Sequence, residues 1–287
     1  MKPDGILGWT NFHRRTDPAM NNSLARLLTL LLLSTGLLSS CDSKSTNPDN
    51  KSTDSVASAV IPWNSTVTYG VLVDNRDAQT YRTVQIGTQT WMAENLNYRN
   101  ALDSTDTVGA CYNNSVDSCT KYGRLYTWIE VMGIDSIFQS TLWGGSDINH
   151  QGICPTGWHV PSDTEWSTLA INSGGDSSAA ANLRSTNGWG PYTDSSILGS
   201  GLYGSNSNGT DRFGFRVLPA GNAFIAMGLF YDAGESAFFT SRTERDSSDV
   251  WVTWFPNAFP VYDDSIFEQI TNSKKDAISL RCIKDML

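Results

Sequence analysis

Apolar and polar positions alternate cleanly only in short stretches of this 287-residue chain. Tyr81-Arg82-Thr83-Val84-Gln85-Ile86 has the two-residue period of a half-buried strand. Tyr69 to Val73 predicts a strand before it, ended by the turn-forming run Asp74-Asn75-Arg76-Asp77. Gly87-Thr88 then reverses the chain, so that Gln89 to Ala93 returns as a hairpin partner. Further strands are predicted at Phe213 to Val217, Phe224 to Phe230, Ala237 to Ser241, Val250 to Phe255 and Ile278 to Ile283.

Helical spacing is scarce. Thr127-Trp128-Ile129-Glu130 and Ser162-Asp163-Thr164-Glu165 each fit a capping box, in which hydroxyl and carboxylate satisfy the free N–H groups of a helix start. After the second, Trp166, Leu169 and Ala170 form one apolar stripe, and Gly174-Gly175 ends the helix. A short third helix is predicted from Ser177 to Arg184, capped by Asp176. Trp91, Trp128, Trp158 and Trp166 fall at core positions of these elements.

One apolar run is different in kind. Arg26 precedes Leu27-Leu28-Thr29-Leu30-Leu31-Leu32-Leu33, and small residues follow up to Leu38-Ser39-Ser40-Cys41, the order of a secretory signal. The run is too short to span a bilayer, which takes about 20 apolar residues. Leu-Ser-Ser-Cys is the spacing of a lipoprotein cleavage box, so Cys41 is the expected lipidation site and its acyl chains the expected link to the bilayer. The polar preface containing Trp9, His13, Arg14 and Arg15 points to a true start at Met20. Residues 1–40 therefore read as signal peptide and 41–62 as a flexible tether, too polar to bury a core. Residues 63–287 read as one domain.

The chain carries 20 basic and 29 acidic side chains, a formal charge of −9. Without Lys2, Arg14, Arg15, Arg26, Asp4 and Asp17, the balance beyond Cys41 becomes −11. Such a surface repels phosphate backbones, and no nucleic-acid partner is expected.

The blocks Thr83 to Tyr98 (TVQIGTQTWMAENLNY), Tyr122 to Trp128, Gln151 to Ser162, Leu183 to Trp189, Phe213-Gly214-Phe215 with Leu218 to Gly221, and Ser279 to Asp285 resemble, in order, the Fibrobacter succinogenes major paralogous domain. The resemblance covers about Tyr69 to Asp285. Val160-Pro161-Ser162-Asp163-Thr164-Glu165-Trp166 is also similar to the Leu-Pro-Thr-x-x-Glu-Trp run of sulfatase-modifying, formylglycine-generating proteins. That likeness implies an α+β, C-type-lectin-like domain with two to three short helices, small twisted antiparallel sheets and many loops.

Four cysteines remain after Cys41, and three connectivities are open. Cys111 and Cys119 flank what reads as a short polar loop, and Cys154 with Cys282 would tie the mid-domain helix entry to the last strand. This pairing is favoured over free buried thiols, because an exported chain meets an oxidising compartment.

No catalytic set is legible. Gly234-Glu235-Ser236-Ala237-Phe238 fails the nucleophile elbow at its last position, and H-E-x-x-H is missing. His159 reads as a structural hydrogen-bonding residue. Formylglycine-generating oxidases use a closely spaced reactive cysteine pair, and the only close pair here falls early in the domain. Phe255-Pro256-Asn257 lacks the carboxylate of a calcium-dependent sugar site. The oxygen-rich loop Ser205 to Asp211 reads as an ordinary polar loop, so no metal or cofactor is expected.

Aromatic side chains near loops remain: Trp143, Trp189, Tyr203, Tyr231, Trp251 and Trp254 are the candidate ligand contacts. The expectation is a non-enzymatic lipoprotein of the bacterial cell envelope, at the outer membrane or cell surface, that binds a carbohydrate or a partner protein. A surface-layer component and an enzyme descended from the formylglycine-generating group are the alternatives.

Overall fold

A computed structural model describes residues 61–99, 108–145, 148–175, 178–190, 208–256 and 268–286. The expected signal segment, Cys41, the tether up to residue 60, and Tyr203 lie outside the described residues.

The alternating run forms the expected antiparallel meander of β1 (Gly70–Val73), β2 (Thr80–Ile86) and β3 (Gln89–Met92), with Val84 opposite Trp91. Next come α1 (Val116–Tyr122), β4 (Leu125–Tyr126), α2 (Trp128–Met132), β5 (Trp158–His159), α3 (Asp163–Asn172) and α4 (Ala179–Leu183). The rest is strand: β6 (Ala220–Phe224), β7 (Leu229–Ala233), β8 (Ala237–Glu244), β9 (Asp249–Phe255), β10 (Glu268–Ser273), β11 (Ile278–Ser279) and β12 (Ile283–Lys284).

Among the described residues these elements make an α+β fold with two mostly antiparallel sheets. The first runs β1-β2-β3-β12-β5, so the last strand lies between the first hairpin and the strand that leads into α3. The second runs β10-β9-β8-β11-β4, with β6 on β8 and β7 on β6.

Two large aromatic cores fill the domain. Trp91, Trp166, Phe215 and Phe239 meet in one, with Trp91 and Trp166 4.7 Å apart. Tyr126, Trp128, Trp158 and Leu280 meet in the other, beside Cys154 bonded to Cys282. Both capping boxes close: the Glu130 carboxylate accepts the N–H and hydroxyl of Thr127, and Ser162 and Glu165 satisfy each other's N–H groups.

Where the chain departs from expectation, a specific group is responsible. Phe213 to Val217 is not a strand. Gly214 and Arg216 take positive φ, and the buried guanidinium of Arg281 collects the Phe215 and Arg216 carbonyls in place of a neighbouring strand. Arg281 also donates to Asn95 Oδ1 at 2.8 Å and lies over the Phe215 ring. Burial, with Arg216 nearby, lowers its pKa to about 9. The expected single strand from Phe224 to Phe230 is split by a left-handed Gly228 (φ 64°). The short third helix begins after Ser178, with the expected cap at Asp176 outside the described residues.

The segment between Cys111 and Cys119 is helical rather than a polar loop: a 3-10 turn at Tyr112–Asn114 leads into α1. That makes four α-helices among the described residues, against two to three expected. α1 has no apolar stripe and buries only Cys119, so periodicity could not reveal it. Its local signals are Asp117 in the first turn, Lys121 in the last, and Gly123 beyond the end.

Candidate functional site

The hairpin β6–β7 joins the second sheet through the register pair Gly221 with Ala237, and a two-bond bridge between Ala223 and Ala277 ties it further. Within it Asn222 lies opposite Tyr231, Ala223 opposite Phe230, and Phe224 opposite Leu229. Successive strand residues point to opposite faces. Ala223 and Phe230 therefore share one face, and Phe224, Leu229 and Tyr231 share the other.

The first face is packed. Phe230 meets Tyr112 edge to face at 5.4 Å, around a small core of Leu125, Ala220, Ala223 and Ala277. Tyr112 directly follows Cys111, whose bond to Cys119 closes the supporting turn. Burial raises the Tyr112 phenol above its usual pKa, and the charges of Asp232 and Glu235 add to the shift.

The second face is bare. Phe224, Leu229 and Tyr231 are exposed, with Phe224 and Tyr231 edge to face at 5.8 Å. Ile225 and Met227 form the crest, and Met227 is 71% exposed. The whole stretch from Ala223 to Tyr231 carries no charge, and Asp232 follows it. Two glycines make this shape possible. Gly228 turns the tip in the left-handed region that favours glycine. At Gly221 (φ 68°) a Cβ would fall 2.1 Å from the Tyr231 carbonyl oxygen. Contiguous exposed apolar surface of this kind is uncommon on a folded domain.

Of the aromatic contacts expected from the sequence that fall among the described residues, only Tyr231 belongs to this face. Trp189 is a correction: it is 2% exposed, donates its ring N–H to Ser185 Oγ at 3.1 Å, and sits beneath Arg184. It is core, because the chain at Gly188-Trp189 folds back onto the end of α4. Trp143 is half-buried and packs edge-on against His150 at 4.9 Å, while its backbone N–H donates to Glu244. Trp251 and Trp254 fall on opposite faces of β9, and Trp254 stacks on Phe238. Sequence reasoning missed Phe224, Ile225, Met227 and Leu229, since an apolar run bounded by polar residues reads as a buried strand. Gly228 was the available signal for a turn.

His159 sits elsewhere and is fully engaged. Its Nδ1 lies 2.7 Å from Asp285 Oδ1 and its Nε2 2.9 Å from Glu165 Oε1. Burial opposes charge on the ring, but the two carboxylates outweigh it and raise the pKa. Burial also pushes Glu165 up, yet bonds from His159 and Ser162 bring it down to about 2. Arg242 completes the cluster at 3.0 Å from Glu165. With both ring nitrogens held, this cluster joins the last strand to the start of α3. Among the described residues no group of three His, Cys, Asp or Glu side chains is arranged to hold a metal ion, and no helix is long and apolar enough to cross a membrane.

Residues 84–284 match the family model described as the Fibrobacter succinogenes major domain. No curated protein and no solved structure matches the chain.

Proposed function

The chain belongs to the Fibrobacter succinogenes major domain family, and from that premise we propose that it is a non-catalytic binding module of the bacterial cell envelope, held through lipidated Cys41, which grips a partner protein with the exposed face of β6–β7. The observation that carries this reading is the uncharged surface of Phe224, Ile225, Met227, Leu229 and Tyr231 on a hairpin whose other face is buttressed. Protein interfaces draw their affinity from aromatic and aliphatic anchors of this type. A sugar would need several hydrogen-bonding groups among the aromatics, and the exposed apolar residues offer the Tyr231 hydroxyl alone, with the half-buried Asn222 opposite Tyr231 on the same face. The signal and Leu-Ser-Ser-Cys order support envelope anchoring, at the outer membrane or cell surface.

We read the fold as C-type-lectin-like. In support, the last strand closes against the first hairpin, short helices flank two small sheets, and a disulfide joins the approach to α3 to the last strand. The engaged ring of His159 favours binding over turnover.

Photo-crosslinking from position 227 of the full-length chain in cells tests the proposal. The expected result is a discrete protein adduct that disappears when Leu229→Asp is added. Adducts to lipid alone, or adducts indifferent to Leu229→Asp, would overturn it.

A further inference from the structure

β1 is an edge of the first sheet, and its neighbour shows which of its backbone groups face outward. The Arg82 N–H donates to Glu94 Oε2 at 2.6 Å, and the Arg82 carbonyl accepts from the Ala93 N–H at 2.8 Å, so both groups turn toward β3. Arg82 stands opposite Val71. That pair is therefore a non-hydrogen-bonded one in the alternating antiparallel ladder. At the other end the Asp74 N–H donates to the Gln79 carbonyl at 2.8 Å, which gives the same parity. The N–H and C=O of Val71 thus point away from β2, and those of Val73, opposite Thr80, do the same. Among the described residues these four groups have no hydrogen-bond partner.

The edge lacks the devices that keep strands apart. Thr68 to Val73 carries no charge and no proline, and its register with β2 runs without a bulge. Val71 is 70% and Val73 51% exposed. An edge of this kind is a template for another strand. Its own sequence fits it. With a two-fold axis through Leu72, Val71 meets Val73 of a second copy and Val73 meets Val71, each as a hydrogen-bonded pair. Four bonds close, the four valines gather on one face, and Asp74 falls opposite Gly70, so no like charges meet.

We infer that β1 pairs antiparallel with β1 of a second copy of this chain, joining two five-stranded sheets into one. Four residues a side fall far short of the roughly 20–30 that a stable interface takes, so the pairing is weak and populated where copies are crowded. It is independent of the partner grip proposed for β6–β7.

Cysteine crosslinking of the full-length chain at high concentration tests the pairing. Hydrogen-bonded antiparallel neighbours have Cα atoms about 5.5 Å apart, within disulfide reach, whereas like positions of the two copies are offset by two residues. A mixture of Val71→Cys and Val73→Cys chains is therefore expected to give several-fold more covalent dimer under mild oxidation than either variant by itself or the parent chain. A mixture that gives no more dimer than these would overturn the pairing. Val71→Lys combined with Val73→Lys sets like charges opposite each other without removing a β1–β2 bond. It is expected to weaken self-association in sedimentation by on the order of tenfold, with the melting temperature unchanged. Absence of self-association in the parent chain, or indifference to the two lysines, would overturn the inference. Leu229→Asp should leave the dimer intact, and its loss there would assign self-association to the hairpin instead.

Discussion

Tyr112 and Phe230 meet edge to face with ring centroids 5.4 Å apart, and this contact joins a disulfide-closed turn to the buried side of the exposed hairpin. The hairpin alone would be marginal in water. It is tied to the domain by the Gly221–Ala237 pair and the Ala223–Ala277 bridge, and side-chain packing around Tyr112 and Phe230 adds to that hold.

Removing the Cys111–Cys119 bond as the paired serine variant is therefore expected to act locally. The closed segment is short, with a sequence separation of 8, and the chain-entropy model gives about 2.5 kcal/mol for such a loop. Amide exchange at 224–230 should rise more than exchange in β8 and β9. Uniform acceleration across all strands would show that the turn supports the whole domain instead.

The Cys154–Cys282 bond spans 128 residues, and the same model gives about 5 kcal/mol. Both cysteines are fully buried in the core around Trp128 and Trp158. The paired alanine variant should lose about that much stability in denaturant unfolding, a large part of the 5–15 kcal/mol typical of a domain. A loss no larger than that of the Cys111–Cys119 variant would mean that packing already fixes the two strands in the unlinked chain.

Much of this scaffold was legible in the residues. Alternation found β2, the capping boxes found α2 and α3, and the blocks around Trp91, Trp128, Trp158 and Arg281 carry the family likeness. Those blocks turn out to be core and lock residues: Trp91 packs at a tilt against Trp166, Trp128 donates to the Ser241 carbonyl, and Arg281 caps the carbonyls of the 215–216 turn. They specify a fold and leave the exposed face of β6–β7 unwritten. The hairpin escaped notice because its apolar residues resemble core until Gly228 is read as a turn, and α1 escaped because a helix held by a disulfide needs no apolar stripe.

Asp276 offers a stabilising change. It is 6% exposed, one of its carboxylate oxygens has no partner, and burial with Asp249 nearby raises its pKa from 3.8 to about 6. A raised carboxyl pKa means that the folded state binds the proton more tightly than the unfolded one, so stability is lost as pH rises from about 4 through 6. Asp276→Asn removes that cost. The variant should match the parent near pH 4 and exceed it by about 1–3 kcal/mol above pH 7 in denaturant unfolding. A pH-independent difference would assign the effect to packing.

His159 should show the opposite kind of pH dependence to a carboxylate with a lowered pKa. Its folded pKa lies above the ordinary 6.5, so its contribution is complete below about pH 6.5 and fades as pH rises through the folded value. Glu165, brought down from 4.5 to about 2, contributes fully above about pH 4.5 and loses that contribution as pH falls toward 2. The ion pair is therefore at full strength between about pH 4.5 and 6.5. His159→Gln cannot bridge Glu165 and Asp285 with a charged ring, so its stability deficit should be largest in that window and shrink toward pH 9. Unfolding curves measured at pH 5.5 and pH 9 check this directly. Equal deficits at the two values would mean that the ring is neutral in the folded protein and that only its shape and hydrogen bonds hold the final strand to α3.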